Sequence, residues 1–157
     1  MQDENKYIII EMNDEFAQEI NTWKYESPCD IYSFDNDDAD FEQITSGYYL
    51  AVLYEEELVG FFCMGPAAQK LSEDNEGIFE DESYTDIAFG LRPDLTGKGI
   101  GKKFVGACIN KAKRLFPEDG VRLCVMNDND RARKLYLQLG FCDIYKNHEM
   151  AIMTMDS

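Results

Sequence analysis

Three glycines at alternate positions, Gly97, Gly99 and Gly101, are the residues of this chain best suited to chemistry. They lie in the run Leu91-Arg92-Pro93-Asp94-Leu95-Thr96-Gly97-Lys98-Gly99-Ile100-Gly101-Lys102-Lys103. An extended apolar segment stops at the proline, and a helical pattern starts near the last glycines. Backbone without Cβ atoms at the positive end of a helix is what binding a phosphate or pyrophosphate requires. Two familiar forms of such a loop do not fit. A loop that cradles ATP with magnesium carries Ser or Thr after Gly-Lys, whereas Lys103 follows Gly101-Lys102. The dinucleotide fingerprint is Gly-x-Gly-x-x-Gly near the start of a βαβ unit. Here the third glycine comes one residue early and the loop lies past mid-chain.

Other side chains are chemically conspicuous. Asp86 is an acid inside an otherwise apolar strand pattern, which calls for a partner, a role or an outward orientation. Trp23, Tyr25, Tyr32, Phe34, Tyr48 and Tyr49 stand among the acids Glu26, Asp30 and Asp35. Aromatic faces beside carboxylates suit an ammonium ligand, while the same aromatics would also serve as a second small core under the first helix. Tyr136 lies four residues after Ala132, on the apolar face of a helical pattern. His148 is the single histidine and has no partner identifiable in sequence, so it is expected at the surface.

The elements that must position these residues follow from periodicity. Lys6 to Glu11 is expected as a first strand. Asn13 or Asp14 caps a helix through about Trp23, with Phe16, Ala17, Ile20 and Trp23 at helical spacing. Residues 24–46 are acidic and aromatic, with a short helix near Asp38 to Ile44. Tyr48 to Tyr54 and Leu58 to Met64 form a hairpin across Glu55-Glu56-Glu57. Gly65 to Ser83 is expected as a long loop or a broken approach to the next strand, 84–91. A helix from about Gly99 to Phe116 places Ile100, Phe104, Val105, Cys108, Ile109, Ala112 and Leu115 on one face. Val121 to Met126 is a fifth strand. Asp128 or Asn129 caps a helix carrying Ala132, Leu135, Tyr136 and Leu139, with Gly140 as its C′ residue. Phe141 to Tyr145 and Glu149 to Met155 close the chain as strands. The pattern indicates one domain over residues 1–157, with a mixed sheet and helices on its faces.

Charge is unevenly spread. Residues 1–96 hold 24 acids and four bases, net −20, whereas residues 97–157 hold seven acids and 11 bases, net +4. An acidic half of this kind repels a phosphate backbone and favours cationic partners, so nucleic acid is not expected. No apolar run approaches the roughly 20 residues that span a bilayer, and the acidic start is unlike a signal peptide, so no membrane partner is expected either. The five cysteines lack metal-ligand or CxxC spacing, which fits reduced thiols in a cytoplasm and no metal.

Two segments carry a family resemblance. Thr96-Gly97-Lys98-Gly99-Ile100-Gly101 resembles the pyrophosphate loop of the GCN5-related N-acetyltransferases (GNAT), written Gln/Arg-x-x-Gly-x-Gly/Ala, with Thr96 in place of the long first residue. Asn129, Ala132, Tyr136, Gly140 and Phe141 are similar to that family's Asn-x-x-Ala-x-x-x-Tyr-x-x-x-Gly-Phe helix. The likeness covers residues 84–145 well and the first 80 only in layout. It implies an α/β (α+β) fold, a GNAT-type single domain with a mixed, mostly antiparallel sheet of six or seven strands and about four helices. It also implies acetyl-CoA as cosubstrate, bound where the fourth and fifth strands splay apart. Pantetheine would pair with the backbone of Phe89, Gly90 and Leu91 as a pseudo-strand. Amides of Gly97 to Gly101 would hold the pyrophosphate, with Thr96 capping the turn and Lys98, Lys102 or Lys103 supplying charge. Asn129 would touch CoA, and Tyr136 would protonate the departing thiolate.

An amine acceptor arrives as an ammonium with a pKa near ~10, so a base must take its proton. By the same resemblance Asp86 is the first candidate, with Glu82 or water in reserve. Leu123-Cys124-Val125 stands where the branch that acetylates ribosomal-protein N-termini has Leu-Glu-Val, which weakens that reading. The expected activity is acetyl transfer to a primary amine of a small cationic molecule or peptide, by direct attack in a ternary complex. A polyamine, an aminoglycoside and a lysine-rich peptide remain open, with Trp23, Tyr25, Tyr32 and Tyr49 as an acceptor wall. The alternatives are a catalytically silent acyl-CoA-binding regulatory domain and a nucleotide-binding module. A monomer or a homodimer fits equally.

Overall fold

A computed structural model describes residues 6–26, 33–69 and 75–157. Seven strands follow the hydrogen-bonded order β1-β2-β3-β4-β5-β7-β6. They are β1 (Tyr7–Glu11), β2 (Tyr49–Tyr54), β3 (Glu57–Met64), β4 (Tyr84–Leu91), β5 (Gly120–Met126), β6 (Cys142–Lys146) and β7 (Met150–Met155). Among the described residues five α-helices accompany them: α1 (Asp14–Asn21), α2 (Asp38–Ile44), α3 (Glu76–Phe79), α4 (Gly101–Leu115) and α5 (Asp130–Leu139). The class is α/β with a mostly antiparallel sheet, β4 and β5 being a parallel pair.

Local chemistry explains most of these limits. The Asn13 side chain accepts from the Phe16 amide at 2.8 Å and starts α1, and Asp37 does the same for α2 through Asp40. Gly140 takes the left-handed conformation (φ 105°) that ends α5. The long helix starts at Gly101 rather than Gly99, because Gly99 has φ 79° and cannot enter a right-handed helix. The β2–β3 hairpin closes on Glu55 and Glu56, both at positive φ (50° and 70°), without the Asn-Gly such a turn prefers. Between Gly65 and Ser83 the described residues form a 3-10 turn (Gly65–Ala68) and the short α3.

By proximity the chain gathers into two units, residues 1–63 with 89–108 and residues 64–88 with 109–157. In the first unit, glycine makes room for aromatic rings. A Cβ at Gly60 would lie 2.6 Å from Phe104 Cζ and 2.7 Å from the Gly90 carbonyl oxygen. One at Gly90 would lie 2.6 Å from Phe61 Cζ. Phe104 of α4 thus packs on the strands, with Tyr7 and Phe89 rings each 6.2 Å away. In the second unit β5 pairs with β7 from Val121 to Met126, and Val121, Leu123, Val125, Ala151, Ile152 and Met153 are buried.

Candidate active site

The phosphate-type loop lies wholly in the first unit, and its backbone fits that role. Gly97 and Gly99 both have positive φ (73° and 79°) with Lys98 between them outside that region. Alternation of this kind turns successive amides toward one concavity, a nest for an anion. The amides of Gly97 to Gly101 make no backbone hydrogen bond among the described residues. The loop opens directly into α4, whose 15 residues supply a helix dipole at its start. Lys98 and Lys102 are exposed beside it, and neither they nor Lys103 forms an ion pair among the described residues.

The approach to the loop is held by Arg92, which sequence reasoning did not single out. Its amide donates to the Val59 carbonyl at 2.8 Å, and its guanidinium donates to Glu57 and the Leu58 carbonyl, each at 2.8 Å. It also grips Asp94 (2.6 and 3.2 Å), which holds that carboxyl below its ordinary pKa. Thr96 closes the Pro93–Leu95 turn by donating its hydroxyl to the Pro93 carbonyl at 2.7 Å. An arginine directly after an apolar strand, two residues before an aspartate, was the signal available.

The aromatic residues fall differently from an exposed acceptor wall. Trp23, Phe34 and Tyr49 converge on Phe61, at centroid distances of 6.4, 5.6 and 5.6 Å. Trp23 and Tyr49 are 6% and 5% exposed, so their faces are spent on one another and they form a core rather than a wall. Burial also raises the Tyr49 hydroxyl pKa, and Gln43 donates to that hydroxyl at 2.9 Å. Tyr25 is half-buried and donates its hydroxyl to the Leu91 carbonyl at 2.8 Å, which ties it to the end of β4. Its amide is held by Ser33 Oγ at 2.8 Å. Tyr32 lies outside the described residues.

One acidic group, Asp35, Asp37 and Asp40, brings carboxylate oxygens within 4.8 Å of one another. Asp37 and Asp40 already accept from backbone amides of the same turn, those of Asp40 and Asp35, so helix capping accounts for the arrangement.

In the second unit β4 and β5 share three rungs, Tyr84–Gly120, Thr85–Val121 and Asp86–Arg122. There the register ends, although β5 continues to Met126 against β7. Asp86 does not stand open as a base. It is 6% exposed, and both oxygens are occupied by Arg122 (Nε at 2.5 Å, Nη2 at 2.9 Å) and by Gln69 Nε2 at 2.9 Å. A proton acceptor must have a lone pair within reach of the substrate's proton; three hydrogen bonds and near-complete burial leave this carboxylate little room for one. The partner was missed in sequence, although Arg122 is the one charged residue within β5 as Asp86 is within β4.

Asn129 accepts from the Ala132 amide at 3.3 Å and caps α5. Tyr136, 9% exposed, packs its ring edge-on to Phe141 at 5.9 Å. Cys124 is half-buried and Glu82 exposed, while His148 is a surface residue 85% exposed at its side chain.

The chain belongs to the Acetyltransferase (GNAT) family, whose profile matches residues 12–141. A spermine/spermidine N(1)-acetyltransferase of Bacillus subtilis is 31% identical over 98 residues. That match covers 60% of this chain and 60% of that protein's own length. Among solved structures, the Campylobacter jejuni N-acetyltransferase PseH aligns at TM-score 0.67 and 15% identity, over 97% of this chain and 99% of its own. PseH is also known in complex with acetyl coenzyme A, at the same TM-score. A spermidine N-acetyltransferase SpeG chimera from Vibrio cholerae and hSSAT aligns at TM-score 0.65 and 12% identity, over 96% of this chain and 95% of its own. These structural likenesses show a shared fold. No helix among the described residues is long and apolar enough to cross a membrane.

Proposed function

We propose that the protein transfers an acetyl group from acetyl-CoA to a primary amine of a small polycation, of which a polyamine is the best-matched class. The observation that carries the donor half is the loop itself: two left-handed glycines with free amides at the head of a long helix, directly after β4. The acceptor half rests on the net −20 of residues 1–96 and on the curated relative named for spermine and spermidine.

Acetyl-CoA supplies an activated thioester when bound. In this reading the amides of Gly97 to Gly101 bind the pyrophosphate, helped by Lys98 and Lys102, with Thr96 bracing the turn. Backbone groups of Phe89, Gly90 and Leu91 align pantetheine and polarise the acetyl carbonyl. Asn129 adds a contact to CoA from the head of α5. Tyr136 gives its proton to the leaving sulfur. With Asp86 engaged by Arg122 and Gln69, the ammonium proton leaves through water, and exposed Glu82 is the carboxylate open to receive it.

Thiol release with acetyl-CoA and an amine panel tests this. Spermidine or a related polyamine should be turned over, and Tyr136→Phe should lower kcat by about 100-fold, the lower end for a lost general acid. Acetyl-CoA binding without turnover of any amine would favour the silent acyl-CoA-binding alternative instead.

A further inference from the structure

Arg122 is the most deeply buried cation described, at 1% exposure, and every donor of its guanidinium is used. Two go to Asp86. The others reach the carbonyls of Ile78 (2.6 Å), Asp81 (3.1 Å) and Phe79 (3.4 Å), all in α3 and the turn before β4. The plane lies 5.2 Å from the Phe79 ring centroid and 5.7 Å from that of Tyr84. Stability alone does not explain such a pair, because apolar residues of similar volume are often as stable in a buried site. Its position is informative. Asp86 and Arg122 stand opposite each other on the last rung that β4 and β5 share. Slipping β4 by one residue against β5 would turn Asp86 to the other face and part its carboxylate from the guanidinium.

We propose that Asp86 and Arg122 are positioning residues for the acetyl transfer: they fix where β4 parts from β5, and so where the cofactor-aligning stretch of β4 begins. The inference rests on the reading above that this stretch aligns acetyl-CoA. Arg122 joins three structures at one group: the last rung, α3, and the turn that leads into β4. Asp86 neutralises it, and Gln69 fixes the carboxylate from its other side. A lysine cannot substitute, since one ammonium cannot reach the carboxylate and three carbonyls together.

The test is calorimetric titration of acetyl-CoA into the wild type and the double variant Asp86→Leu/Arg122→Met, each checked by thermal melting. The apolar pair should keep the melting temperature near wild type, while acetyl-CoA binds about tenfold more weakly, as small misplacements of a binding strand do. Affinity within about twofold of wild type in a folded double variant overturns the proposal. Should the double variant not fold, Gln69→Leu leaves the pair but removes its third donor. That variant should bind about threefold more weakly, and unchanged affinity there overturns the proposal as well. Absence of acetyl-CoA binding by the wild type is a separate result, which removes the proposed function and this inference with it.

Discussion

Gly99 offers the cleanest perturbation, because its surroundings separate backbone strain from steric clash. Its φ is 79°, and a Cβ built there meets nothing within 4 Å. Alanine at this position therefore adds no contact and only the cost of a left-handed L-residue, about 1–2 kcal/mol. That free energy must appear somewhere. If the loop keeps its shape without ligand, the cost falls on folding, and the melting temperature drops by about 2–8 °C for a chain of this size. If the loop relaxes without ligand, folding is unaffected and the full cost falls on binding, a loss of about 5- to 30-fold in acetyl-CoA affinity. Melting and calorimetric titration of Gly99→Ala measure both, and their sum should recover the strain. Gly99→Asn should fall between glycine and alanine, since asparagine tolerates the left-handed region. Unchanged melting together with unchanged affinity in Gly99→Ala would refute the claim that this conformation forms the binding nest.

Three further perturbations have definite outcomes. Gly60→Ala drives a Cβ to 2.7 Å from the Gly90 carbonyl, a backbone atom that cannot rotate away. It should cost about 1–3 kcal/mol or more in a denaturant melt and weaken acetyl-CoA binding, because α4 and β4 are both displaced. Glu56→Gly relieves a φ of 70° in the hairpin turn and should raise stability by about 1 kcal/mol, read as a higher melting temperature. The Tyr7 hydroxyl is buried without a hydrogen-bond partner among the described residues, and burial pushes its pKa up to about 12. The native state thus favours the neutral phenol. Its contribution is complete below the unfolded value near ~10 and is lost as pH rises to about 12. Tyr7→Phe should be neutral or stabilising by up to about 1 kcal/mol at pH 7 and should flatten the alkaline loss measured in melts near pH 11.

What could be read in the sequence was whatever depends on neighbours along the chain. The hairpin was visible from two apolar runs, though not its strained closure, because Glu55-Glu56 carries no turn signature. The short helix at Asp38 to Ile44 and the caps at Asn13 and Asn129 are local hydrogen-bond devices and stand where their residue types suggest. The glycine loop was legible for the same reason, with the helix start two residues later than periodicity alone indicated. What the sequence did not show depends on register across the sheet. Asp86 meets Arg122 only because 36 residues of chain return in parallel, and nothing near either residue announces the pair. For Trp23 and Tyr49 the sequence left an acceptor wall and a second small core both open, because their common neighbour, Phe61, which decides for the core, lies on another strand.

Acetyl transfer onto a polyamine nitrogen leaves a product of defined mass. Mass spectrometry of a mixture of protein, acetyl-CoA and spermidine tests it directly. Spermidine should appear heavier by one acetyl group, formed in step with free CoA and much more slowly by Tyr136→Phe. Spermidine and the other amines of the panel recovered unmodified, from protein shown to bind acetyl-CoA, would contradict it.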